Sequence, residues 1–408
     1  TPEGTLKAAQ ARLPRLAELG VTIAYLCPIF VSDDDMDQAF WSPRQKKSGM
    51  NNPRNPYRMK DFYHVDPEYG TDQDLKDFVA AAHALKLRVM LDMVYLHCGP
   101  KAVFIESNPD FVKRSDDGKI KNAGWSFPGL NFASPALREY LWKNMEMWVR
   151  DFGVDGFRCD VADQIPLDFW VEGRARLERI KPDVGMLAEG MRKEDQLKAF
   201  DLDYGWGRAF SQLEDGAAIR KLWTTRRDER PCGGAKFARF IDNHDIANDD
   251  YNNRLEKRWG TARVDAALVW LFTMDGVPFL YNGQEVADTA RHSIFGRAPI
   301  DWASGKTETG KARFAFVQSL CALRKSEPAL TQGDLVWLDH DQPKAVSAFV
   351  RTVDGARVVS IINLTGEPVK VNVKGAEGAW KPLLSKGAVT DGACNFELAG
   401  RGYFVGKQ

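Results

Sequence analysis

The chain has 408 residues, 44% of them apolar, and its 56 basic and 56 acidic side chains cancel to a formal charge of zero. That length can bury a large core and build more than one domain. The charge balance offers no electrostatic grip on nucleic acid or an anionic membrane, and the most apolar stretch, "AALVWLFTMDGVPFLY", is broken as a membrane span by Asp275, Gly276 and Pro278.

In chain order, "LKAAQARLPRLAELG" reads as a helix with no strand before it, and "VTIAYLCPIF" as the first buried strand. The acidic run "SDDDMD" at 32–37 reads as a loop with a solvated face, a cation site being the alternative. Then follow the helix pattern "DQDLKDFVAAAHALKL", the strand "RVMLDMVYL", a long loop, the helix "SPALREYLWKNMEMWVRDFG", the strand "VDGFRCDVA" and the helix "PLDFWVEGRARLERIK". "VGMLAEG", "FARFIDNHD" and "VPFLYNG" are further short apolar runs that end in polar residues. Repeated strand–helix units argue for a parallel sheet clad in helices, either open and doubly wound or closed as a (β/α)8 barrel. The recurrence of polar residues at strand C-termini, where barrel active sites sit, favours the α/β TIM barrel. A barrel needs a strand ahead of the first helix, so one is expected upstream of Thr1, where the chain opens without methionine.

From about residue 333 the pattern alternates with period two and has regular turn signals, the signature of an antiparallel β-sandwich. The expected organisation is a catalytic barrel over 1–326, with a short insertion at about 97–135 after the third strand, and a C-terminal β-sandwich over 327–408. Cysteines 27, 98, 159, 232, 321 and 394 form no C-x-x-C pair or zinc spacing; they read as small, reduced, buried hydrophobes, which leans toward a reducing, cytoplasmic setting.

The strand ends carry the chemistry. Asp92 and His97 follow the third predicted strand, Arg158 and Asp160 the fourth, Glu189 the fifth, and His244 and Asp245 the seventh. Arg158 and Asp160, two places apart on a strand, project from one face, and the cation is expected to hold that carboxylate ionised. A lone R-x-D is more often a structural ion pair. Carboxylates converging on one barrel mouth, however, push each other's pKa apart and supply an ionised nucleophile beside a protonated acid, the requirement for glycoside cleavage with retention, at about 5–5.5 Å separation.

In these segments the chain resembles the α-amylase family of retaining glycoside hydrolases, and the resemblance runs over almost its whole length. "GFRCDVA" resembles the segment carrying the nucleophile, which implies that role for Asp160, with Arg158 orienting it. "MLAEG" implies Glu189 as acid/base, and "FIDNHD" implies Asp245 as the third carboxylate with His244 beside it. "LDMVYLHC" supplies Asp92 and His97, and "NPYRMKDFYHVDPEYGT" resembles the loop whose tyrosine, here Tyr57, stacks on the sugar at the cleavage point. Asp160, Glu189 and Asp245 are thus the implied catalytic residues, and Arg158, His244, His97, Tyr57 and Asp92 the implied substrate-binding ones. The implied partner is an oligosaccharide or polysaccharide, and the implied activity an α-glucoside hydrolase, with a glucosyltransferase or isomerase on the same scaffold as the alternative and an inactive sugar-binding homologue as the third reading.

The chain departs from the family pattern in places. Leu96 stands where an asparagine usually precedes the histidine, and "FPGLN" has Gly129 where a calcium-binding aspartate often sits. With two oxygen ligands missing and Asn131 alone remaining, no structural calcium and no other cofactor or metal is expected. "FPGLN" also leaves the bond linkage open, and Asp163 and Gln164 leave the acceptor side unassigned. Trp41, Trp125, Tyr204 and Trp206 fall in loops at the expected catalytic face, where they either stack on sugars or pack the loops. Arg297 reads as a surface ion pair rather than a distal sugar ligand.

Overall fold

The computed structural model describes residues 3–190, 192, 198–228, 236–249 and 254–408; Cys232 lies outside them. Two units can be described separately: Thr1–Tyr204 with His292–Pro299, and Gly205–Arg291 with Ile300–Gln408.

The strands of the first unit are Ile23–Leu26 (β1), Phe30–Ser32 (β2), Met59–Val65 (β3), Arg88–Met93 (β4), Asn122–Gly124 (β5), Phe127–Pro128 (β6), Gly156–Cys159 (β7), Gly185–Ala188 (β8) and Leu202–Tyr204 (β9). β1, β4, β7, β8 and β9 lie side by side in that order and are parallel. The continuous apolar runs follow from this, because a strand covered on both faces has no solvent side on which to place polar residues. Val89, Leu91, Met93 and Phe157 are fully buried, packed in one core with Trp148 and Trp170 from the intervening helices.

Local signals set the helices. Asp72–Ala84 begins with a capping box in which Thr71 and Asp74 exchange side-chain and backbone hydrogen bonds. Pro135–Phe152 is capped by Ser134, has proline at its first position, and stops at Gly153 with φ 75°. The first helical pattern is divided into Leu6–Gln10 and Leu13–Leu19, since Pro14 suits a helix start and not an interior.

Gly156, inside the "VDGFRC" run, sits opposite Gly185 in the β7–β8 ladder, and a Cβ placed on it would lie 2.2 Å from the Gly185 carbonyl oxygen. Backbone cannot yield as a side-chain tip can. Gly156→Ala is therefore expected to lower stability by about 3 kcal/mol, read as a fall in the urea midpoint at unchanged m-value.

The acidic run at 32–37 is not a solvated face throughout. Asp33 is fully buried, and its carboxylate accepts hydrogen bonds from the backbone of Asp35 at 2.8 Å and of Lys101 at 2.7 Å. Buried Arg58 donates to the carbonyls of Phe40, Asp33, Asp35 and Pro53. The run is a knot that satisfies loop backbone groups. "YRMKDFYHV", within a segment read as a loop, contains β3, which pairs antiparallel with β2.

In the second unit Phe237–Arg239 (β10) pairs parallel with Val277–Pro278 (β11). The remaining strands are Asp334–Trp337 (β12), Val346–Val353 (β13), Ala356–Asn363 (β14), Val369–Asn372 (β15), Lys381–Thr390 (β16) and Asn395–Lys407 (β17). They form one antiparallel sheet in the order β12-β13-β14-β17-β15, with β16 along the other edge of β17. β17 pairs with β15 through its first half and with β14 through its second. The change of partner falls at Gly400–Gly402, so the sheet folds over a core that includes Val359, Ile361, Val371, Phe396 and Phe404. Cys98 and Cys159 are buried, whereas Cys27, Cys321 and Cys394 are only partly so.

Candidate active site

Parallel pairing decides which side chains meet. Asp92 on β4 is in register with Arg158 on β7, so the two project from one face, and Asp160, two residues on, shares it. The ladder continues past the strand ends: Asp160 N–H donates to the Met93 carbonyl at 2.9 Å, and Glu189 N–H to the Cys159 carbonyl at 3.0 Å. Two successive strand ends therefore deliver Asp160 and Glu189 side by side.

Arg158, fully buried, joins all three carboxylates. Its Nη1 donates to Asp92 Oδ1 at 2.8 Å and to Asp160 Oδ1 at 2.7 Å, and its Nη2 lies 2.8 Å from Glu189 Oε2 as an ion contact without hydrogen-bond alignment. Glu189 Oε2 also accepts the Val161 backbone N–H at 3.0 Å. Val161 makes that contact from a left-handed conformation, φ 45° and ψ 42°, which is costly for a β-branched residue. Strain of this kind persists where surrounding structure imposes it, typically at functional sites.

Asp92 is fully buried and accepts from Tyr25 at 2.5 Å, from Tyr57 at 2.8 Å, and from Arg158. Tyr204, also fully buried, lies under the guanidinium, its ring centroid 5.1 Å from Arg158 Cζ. Burial raises both tyrosines, Tyr25 and Tyr57, well above the usual phenol value, with the Asp92 charge adding to the effect. They are therefore hydroxyl donors at any ordinary pH.

Asp160 departs from the expectation that Arg158 holds it ionised. Burial raises its pKa well above the ordinary carboxylate value; Arg158 opposes this, while the charges of Glu189 and Asp92 add to it. One cation faces three carboxylates in a site where Asp160 is 6% exposed, so Asp160 holds its proton more tightly than an ordinary carboxyl does. His97 is buried between Phe127 and Trp125, at ring-centroid distances of 4.8 and 5.8 Å, and burial lowers its pKa to about 3. It is a neutral imidazole.

His244 and Asp245 lie in the second unit, at the start of a helix over His244–Asp249 that Asn243 caps by accepting the Ile246 N–H. His244 is buried, with Nε2 3.3 Å from Asp245 Oδ2. Trp41 and Tyr204 are buried rather than displayed, and Tyr204 ends a strand that no apolar run had marked. Trp206 packs edge-on against Phe240 at 5.1 Å. Arg297, 67% exposed, faces Glu68 at 3.7 Å. Sequence reasoning missed Tyr25 as a partner of Asp92; the one available signal was a tyrosine among aliphatic residues on the strand next to β4.

Among the described residues no group of three or more His, Cys, Asp or Glu side chains is arranged to hold a metal ion, and no helix is long and apolar enough to cross a membrane. A family calcium would need oxygen donors near Gly129 and Asn131. Gly129 brings no side-chain oxygen, its carbonyl accepts from Lys113 N–H at 2.8 Å, and Asn131 Nδ2 donates to the Asp110 carbonyl while its Oδ1 accepts from Ala133. The residues present do not fit a hard cation.

Residues 1–122 match the model of the α-amylase catalytic domain. The chain is 27% identical over 391 residues to a cyclomaltodextrinase of a Bacillus species, covering 88% of this chain and 65% of that protein. It is 28% identical to a cyclomaltodextrinase of Geobacillus thermopakistaniensis, covering 94% of this chain and 66% of the relative. The chain thus spans just under two thirds of the length of these curated relatives. Among solved structures, a maltogenic α-amylase from Thermotoga neapolitana superposes with TM-score 0.83 at 24% identity, covering 99% of this chain and 94% of that one. The fold is that of these neighbours, a TIM barrel followed by a C-terminal antiparallel β-domain. The domain match over residues 1–122, the relatives along most of the chain and the shared architecture all support the α-amylase family.

Proposed function

We propose that the protein is a retaining α-glycoside hydrolase that cleaves α-glucosidic bonds of starch-derived or related oligosaccharides through a covalent glycosyl-aspartate. The observation that carries this reading is that Asp160 and Glu189 reach one guanidinium from adjacent strand ends. Asp160 attacks the anomeric carbon; Glu189 protonates the leaving oxygen and then deprotonates the incoming water. Attack needs Asp160 ionised; burial works against that, and the hydrogen bond and charge of Arg158 work for it. Asp245 is assigned as the third carboxylate, with His244 beside it, on the motif "FIDNHD". Arg158 and Asp92 position Asp160, Tyr57 flanks the sugar from its anchor on Asp92, and His97 serves as a neutral hydrogen-bonding group. The same reading divides the chain into a barrel over 1–326 and a β-domain over 327–408.

The names of the relatives make cyclic and short linear maltooligosaccharides the first substrates to test. Maltose, maltotriose, a cyclodextrin, pullulan and starch are incubated with the protein, and the anomer of the first product is followed by NMR. An α-anomer released first is the expected result. A β-anomer would overturn the mechanism, and a dominant transfer product on adding acceptor sugar would replace hydrolysis by glucosyl transfer.

A further inference from the structure

Of the 12 tryptophans and 23 phenylalanines, all within the described residues, Trp125 alone is exposed, at 46%. An indole face open to water is able to stack on an apolar face of a bound molecule. Trp125 and Ser126 form the two-residue loop of the β5–β6 hairpin, between paired Gly124 and Phe127. Both loop residues have positive φ, 49° and 68°. That backbone is the one Asn-Gly fills without strain, and tryptophan is a poor occupant of it. The chain thus accepts strain in order to display an indole at this point. Its ring meets the edge of His97, at 67° between planes, and His97 follows β4, the strand that carries Asp92.

From the exposure, the strained turn and the contact with His97, we infer that Trp125 is a stacking platform for a glucosyl ring, the one next to the ring held beside His97. It is a specificity-determining residue that makes the enzyme sensitive to oligosaccharide length. The inference rests on the α-glucoside reading above.

The test uses full-length Asp160→Asn protein, so that sugar is bound and not consumed, with maltotriose as probe in calorimetry. Adding Trp125→Ala is expected to weaken binding about tenfold, and Trp125→Phe to fall between. The pair Trp125→Asn with Ser126→Gly is expected to raise the melting temperature, because it relaxes the turn, and still to weaken maltotriose as Trp125→Ala does. Unchanged affinity in Trp125→Ala, or a lower melting temperature with full affinity in the Asn-Gly variant, would make Trp125 a packing residue and overturn the inference. If Asp160→Asn protein itself ignores maltotriose, the platform is overturned, while hydrolysis by the unsubstituted enzyme, assayed separately, reports on the α-glucoside reading.

Discussion

Asp160→Asn is expected to reduce turnover by about 10⁴-fold or more and, at neutral pH, to make the protein more stable than its parent. The first effect follows from removing the atom that forms the covalent bond: an amide oxygen is a far weaker nucleophile than a carboxylate. Azide added to Asp160→Ala should restore some turnover with a β-glycosyl azide as product. The second effect follows from electrostatics. The folded state holds the Asp160 proton more tightly than the unfolded chain does, because the carboxyl is buried and two other carboxylates share its one cation. The native state therefore binds more protons than the unfolded state as pH rises above the unfolded value, and stability falls with pH across that window. Asparagine has no such titration. Arg158 keeps Asp92 and Glu189 as partners in the variant, so no buried cation is orphaned. Melting temperatures of parent and variant should converge near pH 4, with the variant higher at pH 7. A variant that is less stable at pH 7 by the same margin as at pH 4 would show that Asp160 is a structural anchor and that its burial carries no strain.

How far this was legible from sequence depends on which interaction decides each feature. The parallel strands were readable because they are buried on both faces and so appear as unbroken apolar runs. Asp92, Arg158, Asp160 and Glu189 were readable because strand ends are local and side chains alternate with period two. β9 was not, since Leu202–Tyr204 is too short to show a period. Tyr25 was missed, and Tyr204 was read as a loop aromatic and not as the ring under Arg158, because their partners, Asp92 and Arg158, lie 67 and 46 positions away and are set by sheet register. Asp33 was misread because three acids in a row imply solvent, whereas backbone N–H groups of Asp35 and Lys101 satisfy one carboxylate inside the fold, with Arg58 3.8 Å away. The upward shift of the Asp160 carboxyl was hidden for a related reason. The adjacent arginine is visible in the sequence, but the burial and the two competing carboxylates are not.

Arg158 is the residue whose loss should damage the fold and the chemistry together. Asp92 is fully buried, Asp160 nearly so, and the Glu189 side chain is 17% exposed, so none has free access to water in place of its cation. In Arg158→Met the three carboxyls must either stay charged in a low dielectric or take up protons. Breaking a buried ion pair on one side costs about 3–5 kcal/mol, and here one guanidinium serves three partners. The variant is expected to lose stability by at least that amount, and the loss should grow as pH rises, because protonation relieves the repulsion at low pH. Arg158→Lys separates the two roles. An ammonium keeps the charge but is a single point on a flexible stem and cannot reach Asp92, Asp160 and Glu189 at once as the planar fork does. It should therefore recover much of the lost stability while kcat stays about 10²-fold or more below the parent, since misplaced reacting groups cost rates of that order. Thermal melts across pH 4 to 8 and kcat on the best substrate from the screen decide the matter. Full activity in Arg158→Lys would mean that charge alone suffices and that the shared fork geometry has no part in aligning Asp160 with Glu189.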